Sequence, residues 1–344
     1  MKKNVLIILI FLILIFLVLY LLRKQIINFI ESYQDNISNI PIDFVYTWVD
    51  SYDPERNHYQ KILLGKNDFN LDPSRYEQSD ELKYSIRSIE ENCPWYRKIY
   101  IVVKDGQKPD FIDFEKNKKI VLVNHSEIMP KSALPTFNSL AIETCLHKIK
   151  GLSDFYIYMN DDLFITKPLN IDSFLSTKNN IEYVPLVNIV QGENPPKINM
   201  ENINNYDFGT MYLLSMNFAN KITGQNMAVC PSHTPSVCYK PWDIELEKIL
   251  LQHNLWDYTV HSKFRKNDNS AINNCIRPIF YIYKGADKID YFKDTKLVNL
   301  EKKCSFDIPD NIKFLCVNKI SDECKQTFQY IISNKFPNKS SYEK

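Results

Sequence analysis

From residue 42 onward the chain alternates short runs of β-branched and aromatic residues with segments of helical periodicity. That alternation limits the fold more than any other feature. Residues 42–50 (IDFVYTWVD) read as a buried strand ending on an acid. Ser79-Asp80 then supplies a helix N-cap, Leu82, Ile86 and Ile89 follow at helical spacing, and the segment stops before Pro94. Residues 98–103 and 119–123 are strand-like. Residues 135–149 predict a helix with Leu140, Cys145, Leu146 and Ile149 on its apolar face and Gly151 beyond its end. Residues 155–159 form a further strand, and Asn160-Asp161-Asp162 lies at its carboxyl end. Such alternation predicts an α/β, three-layer fold with a mostly parallel sheet. Ligands of these sheets bind outside the carboxyl ends of the strands, which puts Asp50 and Asp161-Asp162 on one edge.

The N-terminus carries a different signal. Residues 5–22 are an unbroken apolar run in which only Tyr20 has a polar group. At about 1.5 Å per residue the run can just cross a hydrocarbon core of roughly 30 Å. Lys2 and Lys3 precede it, Arg23 and Lys24 follow, and no small-residue cleavage site ends it. The expected organisation is an uncleaved transmembrane anchor over 1–22, a stem over 23–40, and one catalytic domain over 41–344. Within that domain, 51–79 reads as a long polar loop and 177–230 as an Asn-rich insertion or substrate-facing segment. Residues 241–264 predict one long helix, and the tail predicts a strand at 314–317 and a helix at 324–332. The 8 cysteines permit disulfides in an oxidising compartment, and sequons stand at Asn36, Asn124 and Asn338. The sequons, frequent by chance in an Asn-rich chain, add little; the expectation is a single-pass membrane protein with a luminal or extracytoplasmic body.

Lys and Arg total 42 against 41 Asp and Glu, so bulk charge gives no support for nucleic-acid binding. No Gly-rich phosphate loop occurs among the 7 glycines. Any phosphate must be held by side chains, a metal or helix ends. Adjacent acids after a strand can hold Mg²⁺ or Mn²⁺ on a diphosphate, because hard cations prefer oxygen ligands. Asp161-Asp162 can equally be a strand-to-turn boundary with a capping acid, and Asp50 has the same plain reading. His233 is either a surface histidine or a base for a hydroxyl near neutral pH. Lys240 and the basic stretch 261–266 can contact phosphate oxygens or simply place positive charge near a helix C-terminus. Arg87 sits among buried-face residues, as a functional group or a snorkelling one.

Taken together the motifs resemble the Stealth family of sugar-phosphate transferases. Residues 42–54 (IDFVYTWVDSYDP) resemble its first conserved region. Residues 80–101 and 134–168, the latter holding Asn160-Asp161-Asp162, resemble its long second region. His233-Thr234-Pro235, Lys240-Pro241 and 261–265 are similar to the third region, and 313–318 with 336–343 to the fourth. The resemblance implies a nucleotide-sugar-transferase-like fold and transfer of a sugar 1-phosphate from a UDP-sugar donor to a glycan or glycoprotein acceptor, releasing UMP. It also implies Asp161 and Asp162 as ligands of Mg²⁺ or Mn²⁺. His233, Arg265, Glu81 and Arg87 would be catalytic, and Asp50, Asn160, Lys240 and Asn318 would contact substrate. One departure stands out: the fourth region usually reads Asn-Asp, where this chain has Asn318-Lys319. A metal-dependent glycosyltransferase releasing UDP would use the same acids. A degenerate, membrane-tethered protein that binds sugar nucleotide or glycan would fit the Lys319 departure.

Overall fold

The structure, a computed structural model, describes residues 15–27, 40–66, 68–73, 76–178, 182–188, 190–192, 208–230, 233–265 and 273–344. It divides into two compact units, Met1–Ile40 and Pro41–Lys344. In the first unit residues 15–27 are helical with exposed side chains. Residues 5–14 of the expected anchor, and 28–39 of the expected stem, lie outside the described residues. Among the described residues no helix is long and apolar enough to cross a membrane.

The second unit opens with β1 (Ile42–Thr47), α1 (Pro54–Leu63), α2 (Glu81–Asn92), β2 (Lys98–Val103) and β3 (Ile120–Asn124). The short α3 (His125–Ile128) and α4 (Ser139–Glu143) lead to β4 (Phe155–Asn160), β5 (Leu163–Ile165), β6 (Leu175–Lys178), β7 (Glu182–Asn188) and β8 (Val190–Gly192). There follow α5 (Phe208–Thr223), β9 (Ala228–Cys230), β10 (Ser236–Tyr239), α6 (Lys240–Gln252), α7 (Leu255–His261) and α8 (Asn273–Lys284). The chain closes with β11 (Asp287–Ile289), β12 (Thr295–Asn299), β13 (Phe314–Asn318) and α9 (Lys325–Lys335).

The main sheet has the order β10-β4-β1-β2-β3, parallel except for β10. β1 pairs with a strand on each edge and has helices packed over both faces, so its sequence is apolar almost throughout. Side chains alternate across it. Val45 joins Tyr100, Tyr156 and Tyr158 in a core built with Leu140 and Leu146, Leu246 and Leu250 of α6, Trp256 of α7, and Ile276 and Phe280 of α8. On the other face the Tyr46 hydroxyl meets Ser85 of α2 at 2.7 Å. Ser85 and Ser88 of α2 in turn bond the backbone of β5. β5 belongs to a second sheet, β12-β13-β5, which buries Phe164, Leu315 and Val317 against Phe328 and Ile332 of α9. The α/β architecture with a mostly parallel sheet therefore stands as read from the sequence.

Several local expectations are corrected. The 51–79 segment contains α1, begun by Asp53, whose carboxylate accepts the backbone N–H groups of Glu55 and Arg56. Asp80 occupies the N-cap of α2 at φ 68° without a capping bond, and the Ser79 N–H donates to Glu81 instead. The 135–149 helix is broken, with α4 covering five residues and a 3₁₀ turn covering Leu146–Lys148. The long helix expected at 241–264 is two, because Asn254 takes the left-handed conformation, φ 59°, between α6 and α7. The described parts of 177–230 are ordered elements: β7 pairs with β6 and β11, and β8 with β9. Among the described residues the one disulfide joins Cys304 to Cys324; Cys93, Cys145, Cys238, Cys275 and Cys316 are buried free thiols.

Candidate active site

A cleft of about 570 Å³ opens at the carboxyl edge of the main sheet. Parallel pairing of β1, β2, β3 and β4 brings all four strand ends there, contributing Thr47-Trp48-Val49, Lys104, His125 and Asn160-Asp161-Asp162. The second sheet adds Asn318 and Lys319, since Val317 of β13 donates its N–H to the Asp162 carbonyl at 3.0 Å. Eight of the lining residues, Glu81, Asn160, Asp161, Asp162, His233, Arg265, Asn318 and Lys319, were singled out from the sequence.

The acids occupy one end. Gln78 donates to Asp161 Oδ2 at 3.0 Å and is itself held by the Trp48 indole N–H, also at 3.0 Å. Asp162 Oδ2 is 3.4 Å from the Cys316 thiol, whereas its buried Oδ1 has no hydrogen-bond partner. Burial, with the Asp161 charge added, pushes the Asp162 carboxyl up to about 7. Burial likewise raises Asp161, and burial with Asp161 beside it pushes Glu81 up to about 8. Three neighbouring carboxyls so destabilised as anions are the surroundings a cation relieves. The orphaned oxygen of Asp162 is a hard ligand of the right kind. Among the described residues no group of three or more His, Cys, Asp or Glu side chains converges on an ion by itself. Mg²⁺ is commonly held by only one or two carboxylates, with water and substrate phosphates completing the shell.

His233 stands exposed at the rim, its Nδ1 3.7 Å from Cys316 Sγ. Loss of hydration on the cleft side lowers its pKa below the usual histidine value. Arg265 reaches in from the segment after α7, and its Nη2 donates to Ser139 Oγ. That segment is docked at two points: the Phe137 N–H donates to the Lys263 carbonyl at 2.8 Å, and Asn70 Nδ2 to the Arg265 carbonyl at 3.0 Å. Facing Arg265 is Glu143 of α4, 5% exposed, its pKa raised by burial and opposed by the charges of Arg265 and Arg277. Tyr158 lies between this wall and the acidic turn, donating to Asn160 Oδ1 at 2.8 Å.

Three residues picked from the sequence are outside the cleft lining. Arg87 is clamped in the interior by Glu343, with Nε and Nη2 each 2.7 Å from a carboxylate oxygen, and its Nη1 donates to the Phe336 carbonyl. Lys240 follows β10, which runs antiparallel to β4; Tyr239 pairs with Phe155, so Lys240 lies at the amino end of β4, opposite Asp161. Asp50 turns back on its own loop, accepting from the Tyr52 N–H at 3.0 Å, and Asp53 lines the cleft instead. Conversely, Gln78, Lys104, His125 and Glu143 line the cleft without having been picked out. Glu143 carried a signal: Ser139 and Glu143, four apart behind the Asn138 cap, share one helix face. Gln78 carried none.

Residues 75–183 match the model of conserved region 2 of the Stealth proteins. The chain is 34% identical over 335 residues to the capsular polysaccharide phosphotransferase SacB of Neisseria meningitidis serogroup A, covering 89% of this chain and 57% of that protein. It is 40% identical over 151 residues to the capsular polysaccharide phosphotransferase fcs1 of Haemophilus influenzae, covering 42% of this chain and 41% of that one. The chain thus spans little more than half the length of SacB. Among solved structures, a galactosyltransferase LgtC complex with donor and acceptor sugar analogues aligns over 85% of this chain and 95% of that one. Its TM-score of 0.39 and 10% identity are too low to bear on chemistry. Conserved region 2 runs through α2, the wall of α4 and the acidic turn; there the chain is similar to the Stealth proteins, as over most of its length it is similar to SacB.

Proposed function

We propose that the chain transfers a sugar 1-phosphate from a UDP-sugar to a hydroxyl of a glycan or other acceptor, releasing UMP. The names of the capsular phosphotransferases it resembles support this reading. The observation that carries it is the buried, unpartnered Oδ1 of Asp162 beside Asp161, in the cleft that Arg265 and His233 also line.

Asp161 and Asp162 would hold Mg²⁺ or Mn²⁺, which when bound neutralises charge on bridging phosphate oxygens. The acceptor oxygen forms a bond to the β-phosphorus as the bond from that phosphorus to the bridging oxygen breaks. UMP leaves with the bonding pair. His233, neutral at pH 7 with its lowered pKa, takes the acceptor proton. Arg265, oriented by Ser139, offers a planar fork to the equatorial oxygens where charge develops. Asn160 and Asn318 are available to substrate hydroxyls along the floor. Membrane attachment through residues 5–22, with an extracytoplasmic body, completes the proposal; protease protection of the body in sealed vesicles tests it.

Nucleotide analysis separates this reaction from ordinary glycosyl transfer. Incubation with UDP-sugar, acceptor and Mg²⁺ should yield UMP, and yielding UDP alone would exclude the phosphotransferase reading.

A further inference from the structure

β13 presents alternate side chains to opposite faces. Leu315 and Val317 enter the core formed with Phe328 and Ile332 of α9, so Cys316 between them faces the other way. Antiparallel pairing sets Cys316 opposite Leu163, the residue after Asp162, which brings the buried thiol beside the acidic turn. Its sulfur has two polar neighbours there, Asp162 Oδ2 at 3.4 Å and His233 Nδ1 at 3.7 Å.

A thiol has one proton to donate. The carboxylate is the closer neighbour and the stronger acceptor, so the S–H points to Asp162. His233 Nδ1 then faces the sulfur lone pairs, which attract an N–H and repel a bare nitrogen. A neutral imidazole has one N–H, and placing it on Nδ1 leaves the lone pair on Nε2. The backbone beside the ring is held as well. Thr234, 6% exposed, accepts from Asn188 Nδ2 at 2.8 Å, and Asn188 Oδ1 accepts from the Tyr291 N–H at 3.0 Å. On the carboxylate, the thiol engages Oδ2 and leaves Oδ1 as the oxygen without a partner.

We propose that Cys316 is a positioning residue: its thiol, donating to Asp162 and accepting from His233, holds the His233 ring with Nε2 free to take the acceptor's proton. The proposal rests on the sugar-phosphate transfer reading above, in which His233 is the base. The proton leaves the acceptor hydroxyl for Nε2 as the oxygen–phosphorus bond forms, while the Nδ1 and thiol protons stay in place. Ring ¹⁵N NMR of the histidine-labelled full chain in detergent with Mg²⁺ tests it, with a His233→Gln variant to assign the signals. The wild type is expected in the Nδ1–H form, although the free side chain favours Nε2–H. Cys316→Ala should return the ring to the Nε2–H form and leave KM for the UDP-sugar unchanged. It should also lower kcat for UMP release about tenfold, the worth of one hydrogen bond. Cys316→Ser keeps a donor and an acceptor and should restore both the tautomer and most of kcat. A wild-type ring in the Nε2–H form, or a folded Cys316→Ala protein with wild-type kcat, overturns the proposal. Equal losses of kcat in the alanine and serine variants with the tautomer unchanged also overturn it, marking the thiol as packing. A wild type that releases UDP but no UMP overturns the transfer reading instead, and the ring signals still decide the tautomer.

Discussion

Two buried cleft residues are polar at a cost that folding does not recover. Asp162 Oδ1 lacks a partner and sits beside Asp161 and Glu81. Replacing a buried, unpaired charge by a neutral isostere removes that cost. Asp162→Asn is therefore expected to raise stability by about 1–3 kcal/mol in metal-free buffer and to lower turnover roughly a thousandfold or more. Urea denaturation beside an activity assay checks both; a destabilised, fully active D162N protein would remove the acid from the site. His125 gives a pH signature. Its folded pKa is about 4 against 6.5 for the free side chain. The depressed value means that its contribution is fully present above pH 6.5 and is lost as pH falls toward 4, amounting to at most about 3 kcal/mol. His125→Phe should flatten the fall of the urea midpoint over that window, and an unchanged slope would show that the ring is not the group titrating.

At the scale of elements, the α2–C-terminus clamp decides what Arg87 is for. Its side chain is 8% exposed and that of Glu343 is 4%, and the two are bidentate. Breaking such a pair strands a charge and costs about 3–5 kcal/mol. Arg87→Ala should lower stability by that amount, read by urea denaturation, while sugar-nucleotide affinity of the folded fraction stays the same. A stable R87A protein that has lost turnover would instead restore a catalytic role. The sequence could not separate these outcomes, because an arginine on a buried helix face looks alike whether it points to a ligand or to a partner 256 residues away. What periodicity carried well were the core strands: β1, β2 and β4 are apolar runs because both faces are covered. The acidic turn was legible for the same reason, since it caps a strand whose direction the alternation sets. Lys240 was misplaced because the strand before it, Ser236–Tyr239, and its antiparallel pairing with β4 were not read from the sequence. Asn254 broke a long helix through a single backbone angle that apolar spacing does not encode.

For the molecule as a whole, parallel strand order collects four strand ends in one cleft, and the second sheet closes it with Asn318 and Lys319. Lys319 holds a left-handed backbone, φ 53°, and its ammonium pairs with the exposed Glu301 at 2.7 Å. The residue that departs from the family pattern is thus accommodated at the rim by a partner of its own. The acidic end, with Glu81, Asp161 and Asp162 all raised by burial, is where the proposed metal and diphosphate would sit. The reaction proposed for it breaks the phosphoanhydride and leaves the sugar–oxygen bond intact. The most direct measurement is the nucleotide product of the purified full chain given a UDP-sugar, an acceptor hydroxyl and Mg²⁺. UMP released in step with formation of a phosphodiester on the acceptor is the predicted result, and UDP released without UMP would contradict it.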